Sequence, residues 1–148
     1  MRTSPSAART ANSAPEIAAR LRLSATRLAR RLRQESGAGL SPSQQSALAV
    51  IANHGPLTLG ALAEHERVAP PSITKVVSKL ECDGLVTRSA DPADRRVCHV
   101  AISPTGEALL EEVRRRKTAW LTARISQLDA DRQRRLADAL DVLDELIF

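Results

Sequence analysis

Aromatic residues are nearly missing from this chain: 148 residues contain one Trp, one Phe and no Tyr. A hydrophobic content of 43% still supports a packed core, so that core has to be built from Leu, Val, Ile and Ala. Cysteine is as scarce. Cys82 and Cys98 make no disulfide framework and no multi-cysteine metal motif. His54, His65 and His99 are dispersed without ligand spacing, so no metal site is expected. No apolar run approaches the ~18 residues of a membrane span. The basic N-terminus has no apolar segment of the kind a signal peptide needs, and a cytoplasmic location is expected. No Ser/His/Asp or Cys/His arrangement, phosphate loop or carboxylate pair stands out, so neither an enzyme nor a cofactor is expected.

What is present is basic charge, unevenly spread. The formal net charge is +5, which suggests an anionic partner. Residues 1–38 hold eight arginines against Glu16 and Glu35, whereas residues 39–102 hold six basic and six acidic side chains. The middle of the chain is therefore neutral, and can face an anion only by segregating its charges.

The first 14 residues are small, polar and basic, and read as a disordered tail. From Pro15, Ile17, Leu21, Ala25, Leu28 and Leu32 form a narrow helical seam among six arginines. Ser41-Pro42-Ser43-Gln44 is a capped helix start. Thr58 caps a short helix, LGALAEHE. After a turn at Arg67-Val68-Ala69, Pro70 opens another helix that runs to about Asp83 and is stopped by Gly84. Two short helices joined by a tight turn are a helix-turn-helix pattern. In the second, Ile73, Val76, Val77 and Leu80 face inward, which leaves Pro71, Ser72, Thr74, Lys75, Ser78 and Lys79 outside. Such a face suits base edges and phosphates in a major groove. Alone, it reads equally well as an ordinary polar helix surface.

The next stretch tips that balance. Leu85-Val86-Thr87-Arg88 reads as a strand and Val97–Ile102 as its return, with a charged loop from Ser89 to Arg96 between them. A hairpin placed directly after the second helix is a wing. Arginine at its tip is the side chain that enters a narrow minor groove. Asp94 is placed to accept the Arg96 guanidinium and orient it. Beyond Ser103-Pro104, two amphipathic helices carry Leu109, Leu110, Val113, Trp120, Leu121 and Ile125, then Leu136, Leu140, Leu143 and Ile147, widened by Leu146 and Phe148. The expected architecture is mainly α with a small β-hairpin wing. A winged helix-turn-helix lobe over 39–104 is joined to a helical dimerisation region made of 15–38 and 105–148.

With these elements in place, the chain resembles the MarR family of transcriptional regulators. The likeness rests on Ser72-Ile73-Thr74, on Leu80-Glu81-x-x-Gly84-Leu85-Val86-x-Arg88, on Asp91-Pro92-x-Asp94-Arg95-Arg96 and on Ile102-Ser103-Pro104-x-Gly106. It spans roughly residues 15 to 147. It implies a homodimer on double-stranded DNA with a pseudo-palindromic operator, the Pro70–Asp83 helix in the major groove, and Arg96 with Arg95 in the flanking minor groove. Lys79 and Arg88 join the phosphate contacts. It further implies a repressor, often relieved by a small aromatic or phenolic ligand. With so few aromatics, such a pocket would be mostly aliphatic, and its place is unknown. A protein-interaction module is the alternative that the neutral lobe permits. A cysteine-based redox regulator is another, although Cys98, alternating with Val100, reads as a buried thiol.

Overall fold

The computed structural model describes residues 13–147. Most of the expected disordered tail, and Phe148, lie outside the described residues. The elements run α1 (Ala14–Glu35), α2 (Pro42–His54), β1 (Leu57–Thr58), α3 (Leu59–Glu66), α4 (Pro70–Cys82), β2 (Val86–Ala90), β3 (Cys98–Ile102), α5 (Pro104–Ile125) and α6 (Ala130–Ile147). Helix α1 starts one residue before Pro15. Ser13 and Ala14, read from sequence as tail, belong to its first turn because the Glu16 carboxylate accepts from Ser13 N (3.2 Å) and Oγ (2.8 Å).

Local capping sets most of the other boundaries. Ser41 Oγ accepts from Gln44 N at 3.2 Å while Gln44 Oε1 accepts from Ser41 N at 2.8 Å. Thr58 Oγ1 accepts from Ala61 N, and Asp129 Oδ1 from Arg132 N. Between α3 and α4 the chain reverses through Arg67 in the left-handed region (φ 53°). Ser103 has a double role: its Oγ accepts from Gly106 N at the start of α5 and donates to Gly84 O at 2.6 Å, at the end of α4. Gly106 is needed there, because a Cβ would stand 2.1 Å from Leu85 O.

The sheet has three strands in the order β1-β3-β2, all antiparallel, where the sequence suggested a two-stranded hairpin. Leu57 pairs with Val100 and Thr58 with His99, which covers the outer edge of β3. Two residues are too few to show a period, so β1 has no signature in the sequence. Strand β3 begins at Cys98, one residue later than expected, whereas β2 is shifted toward the tip, to Val86–Ala90. The reason is a backbone bond from Asp91 N to Val97 O at 2.8 Å, which closes the hairpin further out.

The core is aliphatic throughout. Leu48 and Ile51 of α2, Leu62 of α3, Ile73, Val77 and Leu80 of α4, and Leu85, Val86 and Val100 of the sheet are all buried. Each such side chain contributes about 1.5–3 kcal/mol on burial. Cys98 is half-buried rather than buried, and Cys82 is exposed. Helix α1 runs along α5, where Trp120 lies between Arg124, 3.8 Å from the ring centroid, and Arg31, 5.8 Å away. Arg116 Nη1 donates to Ser36 O at 3.3 Å on the same seam. Neither α1 nor α6 has a fully buried residue.

Candidate nucleic-acid interface

The buried stripe of α4 fixes which of its residues face out. With Ile73, Val77 and Leu80 in the core, Pro71, Ser72, Thr74, Lys75, Ser78 and Lys79 are exposed together on the opposite side. Their hydroxyls and ammonium groups differ in what they are free to do. Thr74 Oγ1 donates back to Pro70 O at 2.9 Å, which leaves its lone pairs and methyl outward. Lys79 Nζ donates to Asp83 Oδ1 at 2.9 Å, and that bond with the Asp83 charge raises its pKa above the ordinary value. The ammonium therefore stays charged, with one carboxylate beside it. Lys75 has no carboxylate partner among the described residues.

Arg88 is placed differently. Its Nη2 donates to Ser78 Oγ at 2.8 Å, and its side chain is only 25% exposed. Its Nε lies 3.0 Å from Glu81 Oε2, but the N–H does not point along that line, so this pair is ionic and not a hydrogen bond. The β2 arginine is a clamp between the wing and α4.

The loop is ordered by two aspartates. Asp91 Oδ1 accepts from the backbone N–H groups of Ala93 (2.7 Å) and Asp94 (3.1 Å), an Asx turn. Its Oδ2 lies 2.9 Å from His99 Nε2. The His99 hydrogen bond, then the two backbone N–H groups, hold the Asp91 carboxyl below the usual carboxylate range. Asp94 Oδ1 accepts from both Arg96 N (3.0 Å) and Arg96 Nε (3.2 Å). Arg96 itself is 92% exposed, and Arg95 is exposed beside it. The structure thus gathers Pro71, Ser72, Thr74, Lys75, Ser78 and Lys79 on one helix face, and Asp94, Arg95 and Arg96 at the wing tip. Arg88 sits between the two groups. Sequence reasoning used Asp91 only as part of the motif behind the resemblance and gave it no role in the loop, although Asp-Pro is a turn signal. It gave none to His99 either, for which no local signal exists.

A helix with a polar outer face, a strand pair clamped to it and an arginine carried at the tip form a winged helix-turn-helix. The MarR family model matches residues 40–98. Over 132 residues the chain is 42% identical to the HTH-type transcriptional regulator ML2140 of Mycobacterium leprae, covering 88% of this chain and 92% of that one. The chain belongs to the MarR family. A putative transcriptional regulator from Pseudomonas aeruginosa is 33% identical and superposes with a TM-score of 0.79, covering 89% of this chain and 94% of that one. A MarR family protein from Bacillus stearothermophilus is 25% identical with a TM-score of 0.73, covering 90% and 94%. MarR regulators bind DNA and are not enzymes, and this chain carries their fold. Among the described residues there is no group of three or more metal-ligating side chains. No helix among them is long and apolar enough to cross a membrane.

Proposed function

We propose that this MarR regulator is a cytoplasmic homodimer that represses transcription from a pseudo-palindromic operator and is released by a small ligand. The observation that carries the reading is the join between α4 and the wing. An outward face of hydroxyls and lysines is clamped, through Arg88, to a loop that holds out a 92% exposed arginine. Ser72, Thr74, Lys75 and Ser78, with Pro71 beside them, address base edges in the major groove. Lys79 addresses phosphate, and Arg95 and Arg96 the adjacent minor groove. Arg88 and Asp94 hold these groups in place.

The dimer is supported by what α1 and α6 leave uncovered. Ile17 is 50% exposed, Leu140 52% and Ile147 70%. These helices also differ in charge. Residues 136–147 carry Asp138, Asp141, Asp144 and Glu145 with no basic side chain, whereas α1 carries six arginines against two glutamates. Helix α6 of one protomer therefore suits α1 of its partner in both apolar and ionic terms. Two heads about 34 Å apart reach successive major grooves. For the ligand, a crevice of about 460 Å³ between α2 and α5 is lined by Ala52, Leu110 and Arg114 among others. Glu107 and Glu111 line it as well, so two carboxylates stand against one guanidinium, and the crevice suits a neutral phenol, whose hydroxyl a carboxylate accepts, better than an acid.

Selection of bound fragments from genomic DNA, followed by gel shift, tests the reading. Wild-type protein should retain a discrete fragment. Arg96→Ala should keep its fold and bind that fragment more weakly by about 1–3 kcal/mol, as expected for one well-placed contact. Wild-type affinity in Arg96→Ala overturns the wing assignment.

A further inference from the structure

The wing loop is held from the sheet as well as by its own turn. His99 occupies β3, the middle strand, and is in register with Thr58 of β1 on one side and Ser89 of β2 on the other. Its backbone is thus fixed by two neighbours. From this base its Nε2 meets Asp91 Oδ2 at 2.9 Å. The second oxygen of that carboxylate takes the N–H groups of Ala93 and Asp94. Asp94 in turn takes the backbone N–H and Nε of Arg96. The contacts run without a gap from a ring that is 30% exposed to a guanidinium that is 92% exposed.

The geometry points to His99 as the positioning residue of the wing: through Asp91 it fixes the turn that aims Arg96. The inference rests on the reading of Arg96 as a DNA contact. Asp91 can hold both loop N–H groups only while its carboxylate plane is set, and the imidazole is what sets the other end of that plane. Without it the carboxylate rotates, the Asx turn loosens and Asp94 carries Arg96 through a wider range. Ordering them then falls on the binding step. Immobilising one such side chain costs about 0.5–1.5 kcal/mol, so loss of His99 should weaken DNA binding about two- to tenfold.

The test compares wild type, Arg96→Ala, His99→Leu, His99→Gln and the double variant His99→Leu/Arg96→Ala on a fragment selected by the wild-type protein, with affinity read by fluorescence anisotropy. His99→Leu should bind about two- to tenfold more weakly. His99→Gln, whose amide nitrogen reaches the place of Nε2, should recover most of that loss. In the Arg96→Ala background His99→Leu should cost nothing more. Wild-type affinity in His99→Leu beside weak binding in Arg96→Ala overturns the role of His99 and leaves the wing reading standing. An undiminished His99→Leu penalty in the Arg96→Ala background also overturns it, since His99 then acts on something else. Wild-type affinity in Arg96→Ala removes the wing reading and the inference with it. Should His99→Leu fail to fold by circular dichroism, His99→Phe, which fills the same space without a nitrogen, takes its place in the same comparisons.

Discussion

Arg88 Nη2 donates to Ser78 Oγ at 2.8 Å, so the base of the wing is tied to the outer face of α4. The two residues are ten apart in sequence and belong to different elements. Their bond makes the recognition helix and the hairpin one unit, with Glu81 as a second, ionic tie to the same guanidinium. In the proposed dimer, placing one such unit places both of the parts proposed to face DNA.

This separates two basic residues that look alike in the sequence. Lys79 is exposed, and Lys79→Met should lower the slope of log affinity against log salt by about one counterion. Arg88→Met should leave that slope nearly unchanged and instead destabilise the fold by about 0.5–1.5 kcal/mol, the usual worth of a lost hydrogen bond. Titrations at several salt concentrations, with thermal melts of the same proteins, read both effects. Equal slope changes in the two variants would make Arg88 a phosphate contact.

The acid response should report on Asp91. Its folded carboxyl is held below the usual value by His99 and by the N–H groups of Ala93 and Asp94. A lowered carboxyl stabilises the folded state at all pH above its unfolded value, about 3.9, and loses that contribution as pH falls through the folded value. Urea midpoints of wild type and Asp91→Ala should therefore differ at pH 6 and converge toward pH 3. Glu112, lowered by Arg115 and Arg116, acts in the same direction in both proteins and cancels in the comparison. A gap that stays constant with pH would mean that the Asp91 charge has no part in holding the loop.

At the junction of β3 and α5 there is no room for a methyl group on Gly106. An added Cβ would meet Leu85 O at 2.1 Å and Ile102 Cγ1 at 2.8 Å. Gly106→Ala should cost about 1–3 kcal/mol, in the range of overpacking, and lower the thermal midpoint without changing the helix content of the folded protein. An unchanged midpoint would show that the junction yields.

Much of the candidate site was legible because it is written in local patterns. The alternation of buried and exposed positions along α4 needs only a helical period and an apolar core, and it separates Ile73, Val77 and Leu80 from Ser72, Thr74 and Lys75 without reference to any other element. Asp94 and Arg96 are two residues apart, so their contact is a short-range event that spacing alone can suggest. Strand β1 and the tie between Arg88 and Ser78 were hidden for the opposite reason. Each depends on where a distant backbone comes to lie, and neither has a period of its own.

The sequence by itself determined the helices, their caps, the aliphatic nature of the core and the presence of an arginine-tipped loop. These follow from hydrogen bonds and burial within a few residues of each position. Only the tertiary structure decided how that loop is held. His99 reaches Asp91 because β3 is pinned between β1 and β2, and Arg88 turns to Ser78 because the buried stripe of α4 fixes that helix beside β2. A side chain's partners are set by which faces the core leaves open, and that is a property of the packed whole.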